Sequence, residues 1–349
     1  MTTPTPWGRR LLLAPAAVAL FTGVLGGLTR LGVAAPAPVH AVLGHGPLMV
    51  SGFFGTLISL ERAVALGSSW AYGAPLVSAG AIAAMLLGEP AAAAALFTAA
   101  AAGLTAVNAV IVRRQRAVFT VTMTIGSSAW LVGDLRWALG AAFADVVAWW
   151  LGFLVLTIAS ERLELSRLAP KPAGATPAFA ALVGLVLGAL ALDSHRLLGA
   201  SFIGLAAWMA IWDVARRTIR VRGLPRYAAS ALFAGYAWLA TAGTLLCAPV
   251  VPPAGPYYDA VVHAVMVGFV FSMVFAHAPI VLPAVARIAL PFGPAFYAPL
   301  ILLHVATVAR VAGDLAAVHA LRAAGGTLTA VAILLFAAVA SRTALRRRS

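Results

Sequence analysis

Charged side chains are scarce in this sequence: Asp, Glu, Lys and Arg together make up 10% of its 349 residues. A soluble domain of this length needs far more charge on its surface, so a soluble fold is excluded. Cysteine is scarcer still, because Cys247 is the single one. This count excludes an internal disulfide and a metal site built from cysteines.

Acidic residues are also few, at 10 against 24 Lys and Arg, which gives a formal net charge of +14. Such an excess can indicate a nucleic-acid partner. Here the basic residues fall in short clusters between apolar runs, as the positive-inside rule predicts for cytoplasmic loops. The pattern therefore favours membrane lipid as the partner and argues against nucleic acid.

Apolar residues make up 62% of the chain and form long continuous runs. A bilayer core about 30 Å thick needs roughly 20 apolar residues per helix, and a membrane β-barrel would show alternation instead. The sequence predicts an all-α, polytopic membrane helix bundle with about twelve transmembrane helices, or ten if the short third and seventh do not span. The predicted helices are 9–32, 40–66, 72–88, 91–112, 118–138, 143–166, 176–192, 196–216, 227–248, 256–286, 293–315 and 323–344.

The basic clusters alternate along the chain and predict its orientation. They are Arg113-Arg114-Gln115-Arg116, Arg162/Arg167/Lys171, Arg216-Arg217/Arg220/Arg222/Arg226 and Arg346-Arg347-Arg348. All four follow even-numbered helices, whereas the other side carries only scattered basic residues. We therefore expect cytoplasmic N- and C-termini in a multi-pass protein of a bacterial-type inner (plasma) membrane.

Three of the predicted helices share a pattern, a Gly-Phe pair followed nine residues later by a polar side chain. The matching positions are Gly52-Phe53 with Glu61, Gly152-Phe153 with Glu161, and Gly268-Phe269 with His277. The triplets Gly133-Asp134-Leu135 and Gly313-Asp314-Leu315 also match each other. Since the three helices are four apart in order, the pattern predicts three four-helix repeats, 1–116, 117–226 and 227–349, within a single transmembrane domain, 1–349.

Two histidines, His45 and His263, lie near the outer ends of the second and tenth predicted helices, at a similar depth. Histidine inside a membrane is costly and needs a reason. Two imidazoles that face one another across a bundle can bind both axial positions of a haem iron. The pair therefore favours a bis-histidine haem, with two unrelated interhelical hydrogen bonds as the alternative.

Four further polar residues are candidates for a second metal or proton site: His277, His304, Glu61 and Glu161. Two carboxylates and an imidazole can hold a metal or pass protons. In the alternative interpretation, which we favour for the glutamates, each pairs with the arginine that follows it. His304 is then a polar packing residue.

Arg310 lies in an apolar run near the outer end of the eleventh helix, close to the depth predicted for His45 and His263. Haem propionates are anionic and bind guanidinium groups. Arg310 is therefore the candidate propionate ligand. Because Asp314 follows four residues later, an intrahelical Arg310–Asp314 ion pair is the competing explanation.

Two of these helices resemble a known family. The segment HGPLMVSGF, with His45, Met49, Gly52 and Phe53, and the segment HAVMVGF, with His263-Ala264 and Val267-Gly268, are similar to the histidine helices of the NnrS family. NnrS proteins are polytopic, haem- and copper-containing membrane proteins linked to nitric oxide metabolism. The resemblance implies haem b, with copper as a further cofactor, and a role in nitrosative stress.

The layout is also similar to the catalytic subunit of haem–copper oxidases, which has twelve helices in three arcs and a low-spin haem held by the second and tenth. This sequence departs from that pattern. Its sixth helix carries Glu161 but no histidine, and no His-His pair follows in the seventh. The oxidase copper site is therefore absent, and enzymatic activity stays open.

Together these observations predict a haem-binding membrane protein of NnrS type, with nitric oxide or a redox protein as its partner. A proton-coupled transporter without cofactor is the alternative, with His277, Glu61 and Glu161 as its coupling groups. An accessory subunit of a respiratory complex is the third reading.

Overall fold

The computed structural model describes residues 4–345, and all regular structure in that range is helical. Its twelve long helices are α1 Pro6–Arg30, α2 His45–Leu66, α3 Gly73–Leu86, α4 Pro90–Arg114, α5 Val118–Ala138, α6 Phe143–Leu165, α7 Ala175–Ala191, α8 His195–Trp212, α9 Leu224–Leu246, α10 Pro256–Ala286, α11 Tyr297–Leu315 and α12 His319–Leu345. Each overlaps the helix predicted at its place, so the all-α prediction is confirmed.

Ten of the helices in the described range are long and apolar enough to cross a membrane. The two that fall short are α7 and α8. Helix α7 has 17 residues and is about 26 Å long, less than the hydrocarbon core. Helix α8 begins with His195 and Arg196, which reduce its apolar character. The ten-span alternative counted the third helix as lost together with the seventh, but α3 with the turn Ser69–Tyr72 reaches 18 residues and is a candidate span.

The chain forms two compact units. Unit 1 runs to Phe153 and includes Pro283–Arg287, and unit 2 comprises Leu154–Leu282 and the chain from Ile288 onward. The three predicted repeats do not coincide with these two units and stay a prediction.

In unit 1, α3, α4 and α5 pack against one another in chain order, and α1 packs against the first half of α2. Most of that half is not α-helical. After Pro47, which has no N–H to donate, residues Leu48–Gly55 form a π-helix. Gly55 ends this segment against the Trp130 ring, where an added Cβ would lie 2.4 Å from a ring carbon.

Unit 2 contains a second π-helix of the same length, Ala264–Phe271 in α10. Helix α9 packs against it, and Gly268 is the point of closest approach. A Cβ on Gly268 would lie 2.3 Å from Cγ of Trp238. Helices α11 and α12 form a close pair, in which Gly325 lies against the backbone of Arg310.

Burial distinguishes the three helices that share the Gly-Phe pattern. In α2, α6 and α10, 67% of the most apolar 18-residue window is buried, whereas the other seven candidate spans range from 28% to 50%. A helix that is apolar all round and largely buried belongs to the interior of a bundle. The pattern therefore marks the most buried helices of the chain.

The basic clusters lie in the connections that follow even-numbered helices, as predicted. Arg113 and Arg114 end α4, Arg167 and Lys171 follow α6, and the largest cluster lies between α8 and α9. The C-terminal cluster Arg346–Arg348 lies outside the described residues. The cytoplasmic location of both termini stays a prediction.

Gly268→Ala tests the close approach of α9 to the π-helix of α10. The added methyl group has no space beside Trp238, and overpacking of this kind costs about 1–3 kcal/mol. We expect a lower midpoint of thermal unfolding in detergent. Gly188→Ala in α7, where nothing lies within 4 Å of the new Cβ, is the matched control and should leave the midpoint unchanged or slightly raised. Equal midpoints for the two variants would contradict the packing described.

Candidate functional site

His45 begins α2 and is held by the backbone of α1. Its Nδ1 lies 2.7 Å from the carbonyl oxygen of Gly23. Since a carbonyl only accepts, Nδ1 carries the hydrogen, and the lone pair of the neutral ring is on Nε2. Gly27 provides the space for the ring, because a Cβ there would lie 2.7 Å from Cε1. This tautomer is the one that a histidine bound to metal through Nε2 adopts.

His263 has the same arrangement in α10. Its Nδ1 lies 2.7 Å from the carbonyl oxygen of Asp259, one helical turn earlier. Nε2 of the neutral ring therefore carries the lone pair here as well. Metal-binding histidines commonly donate their second ring N–H to a backbone carbonyl, which fixes the orientation of the ring.

Each of these histidines precedes a π-helix of eight residues. His45 is three residues ahead of Leu48–Gly55, and His263 is directly ahead of Ala264–Phe271. The Gly-Phe pair occupies the fifth and sixth positions of both segments. Since π-helical segments are rare and are frequent at functional sites, their recurrence at the two predicted iron ligands is notable. The sixth helix, which shares the Gly-Phe pair, has no such segment.

Arg310 belongs to a network of two arginines and two aspartates in unit 2. Its Nε donates to Asp314 at 2.8 Å, and Nη2 donates to Asp259 at 3.1 Å. Arg322 bridges the same two carboxylates, at 2.5 and 3.1 Å. The intrahelical pair that competed with a propionate role is thus present. The network is neutral overall, and it includes the residue whose carbonyl holds His263.

His277 lies in a second buried network. Its Nε2 accepts a hydrogen bond from Nη1 of Arg162 at 2.7 Å, and its ring also bonds the backbone of Met273. Asp213 receives Nε of Arg162 at 2.6 Å and Nη2 at 3.2 Å, and the Tyr236 hydroxyl donates to it at 2.6 Å. Since a guanidinium cannot accept, the Nε2 lone pair of His277 is directed at Arg162 and not at a metal.

The two glutamates have different surroundings. Glu61 forms an ion pair with the next residue, Arg62, at 2.9 Å, which confirms that interpretation. The guanidinium of Arg162 binds Asp213 and His277, and the pairing of Glu161 with Arg162 stays a prediction. Asp213 at the end of α8 offers a fully buried carboxylate that accepts two bonds from Arg162.

His304 in α11 accepts a hydrogen bond on Nδ1 from the indole N–H of Trp238 at 3.2 Å. The hydrogen of the neutral ring is therefore on Nε2, a buried atom without a hydrogen-bond partner. This contact fits the interpretation of His304 as a polar packing residue. Within residues 4–345, no group of three or more His, Cys, Asp or Glu side chains is placed to hold a metal ion.

Three acidic residues at the centres of these arrangements were not predicted from the sequence: Asp213, Asp259 and Asp134. Asp134 in α5 is fully buried and accepts hydrogen bonds from Ser51 and Trp150. The available signal was rarity, because only 10 of 349 residues are acidic and Asp134 and Asp213 stand in apolar runs. Acidic residues in such runs are functional candidates by default.

The apolar helices and buried ionic networks define a polytopic helical membrane protein. A model of a protein family, the domain of unknown function DUF8744, matches residues 9–345. The chain belongs to the DUF8744 family. No curated protein and no solved structure shows a significant match to it.

Asp213→Asn tests the network around Arg162. The change keeps the shape of the side chain but leaves the buried guanidinium without its counter-ion, which costs about 3–5 kcal/mol. We expect a large fall in the thermal unfolding midpoint of the purified protein. Asp145→Asn, at an exposed position in the first turn of α6, should change the midpoint little. A similar small change in both variants would show that the network contributes no stability.

Proposed function

We propose that this protein is a haem-binding membrane protein and that His45 and His263 are its iron ligands. The observation that carries the proposal is that the imidazole rings of His45 and His263 have the same tautomer, each at the start of a π-helix. Each donates Nδ1–H to a backbone carbonyl at 2.7 Å, so each neutral ring presents Nε2 with its lone pair. Haem iron is commonly bound by histidine in this form.

The tautomer alone does not single out these two residues. His195 at the start of α8 also has Nδ1 close to a carbonyl oxygen, that of Leu246, at 2.9 Å. His45 and His263 differ from it in lying at the start of a π-helix in two of the most buried helices. It is this combination that supports a ligand role, and it makes His195 a matched control.

The cofactor type follows from the donor set. Covalent attachment of a c-type haem needs a C-x-x-C-H segment, and the single Cys247 cannot supply it. We therefore propose haem b, held by non-covalent contacts. Copper is left out of the proposal, because the described residues contain no cluster of three metal-binding side chains. Arg310 is left out as well, since Asp259 and Asp314 bind its guanidinium.

The residues of the chain would act by holding and orienting the imidazoles. The Gly23 carbonyl and the glycine at position 27 fix the ring of His45, and the Asp259 carbonyl fixes that of His263. Bound haem would supply a one-electron redox centre. The resemblance to NnrS proteins favours a role in nitric oxide metabolism, and a bacterial inner membrane as the location.

A reduced-minus-oxidised visible spectrum of the purified protein tests the proposal. After expression with ample haem, we expect a Soret band and the bands of a six-coordinate low-spin haem. A preparation that folds in detergent but shows no Soret band would overturn the proposal.

Single alanine variants test the ligands. His45→Ala and His263→Ala each remove one Nε2 donor, so each should abolish the low-spin spectrum or shift it to a five-coordinate form. His195→Ala removes an imidazole with a similar hydrogen bond and should leave the spectrum unchanged. A normal six-coordinate spectrum in both ligand variants would show that other residues bind the iron.

A further inference from the structure

Asp134 has two carboxylate oxygens with very different surroundings. Oδ1 accepts hydrogen bonds from the Ser51 hydroxyl at 3.0 Å and from the Trp150 indole N–H at 2.7 Å. The Trp130 indole N–H donates to the Ser51 oxygen at 2.9 Å. Because an indole nitrogen only donates, the directions of these bonds are fixed, and the Ser51 proton is directed at Asp134.

Oδ2 of Asp134 is buried and has no hydrogen-bond partner. The side chain is 0% exposed, and none of the ion pairs within residues 4–345 includes it. Asp314, which occupies the same place in the matching Gly-Asp-Leu triplet, has the opposite environment. Two arginines, Arg310 and Arg322, neutralise its charge.

The side chains that hydrogen-bond Asp134 are Ser51 and Trp150, and Trp130 donates to Ser51; all three are neutral. Titratable groups on the surrounding helices are engaged elsewhere or exposed. Arg136 on α5 and Asp145 on α6 are exposed, and Arg162 in the last turn of α6 pairs with Asp213. Arg113 and Arg114 lie at the far end of α4. On α2, Glu61 and Arg62 pair with each other, and His45 bonds Gly23. Among the residues that the structure describes, no cation therefore forms an ion pair with Asp134.

The relative costs of the two protonation states decide between them. An ionised carboxylate buried without a counter-ion keeps a large desolvation penalty even after relaxation of the surroundings. A neutral carboxylic acid with one unmet O–H has a much smaller penalty. In a helix that lies in hydrocarbon the difference favours the neutral acid.

We propose that Asp134 is a proton-binding site within the membrane-spanning part of unit 1. The proton is on Oδ2, the oxygen without a donor, and Oδ1 is the carbonyl oxygen that Ser51 and Trp150 hydrogen-bond. The ligand is the proton itself, exchangeable with solvent protons. Haem ligation is not required for this site.

Infrared spectroscopy of the protein in lipid at neutral pH tests the site directly. A protonated carboxyl group has a C=O stretching band separate from the carboxylate bands, and the band moves when H₂O is replaced by D₂O. We expect such a band in the wild type and its loss in Asp134→Asn. Asp314→Asn, at the arginine-paired position, and Asp145→Asn, at an exposed position, should both retain it.

Ser51→Ala provides a second test that keeps the carboxyl group in place. Removal of one donor to Oδ1 strengthens the C=O bond, so the band should move to higher frequency. The shift in Ser51→Ala tests whether the band arises from Asp134 even if Asp134→Asn does not fold. The proposal is overturned if the acid band is the same in wild type, Asp134→Asn and Ser51→Ala, because the band would then not arise from Asp134.

Discussion

The free-energy cost of a charge in hydrocarbon governs where polar side chains lie in this protein. The most buried arginine, Arg162, is bound by a carboxylate through two bonds and by an imidazole. In the α11–α12 pair, two arginines and two aspartates cancel in charge. The backbone obeys the same constraint, since helices satisfy their own N–H and C=O groups. Asp134 is the exception, and an exception to so strong a rule points to function.

The two π-helices connect this architecture to chemistry. Each widens a buried helix by one residue per turn and is flanked by a histidine whose ring orientation a backbone carbonyl determines. The π-helix of α2 also contains Ser51, which donates to Asp134. In both segments a small residue, Gly55 or Gly268, admits the ring of a neighbouring tryptophan.

Prediction from the sequence succeeded where the signal was local. Helix positions followed from runs of apolar residues, and the Gly-Phe pattern marked the three most buried helices. Its ten-span alternative lost the third and seventh helices, whereas in the structure the two that fall short are α7, in length, and α8, in apolar content. It did not find the ion pair between Arg162 and Asp213, because adjacency is visible in a sequence, whereas a partner 51 residues away is not.

The sequence by itself determined that this protein is a membrane protein, that it is helical, and which few polar residues need a partner. Composition and the length of apolar runs are local properties, so the sequence alone shows them. Only the tertiary structure decided the partners: Asp213 for Arg162, Trp238 for His304, and none for Oδ2 of Asp134. Hydrogen-bond direction and burial depend on which helices meet, and helix packing brings together residues that are far apart in the chain. The tautomers of His45 and His263 are likewise determined by backbone carbonyl groups that folding places beside the two rings.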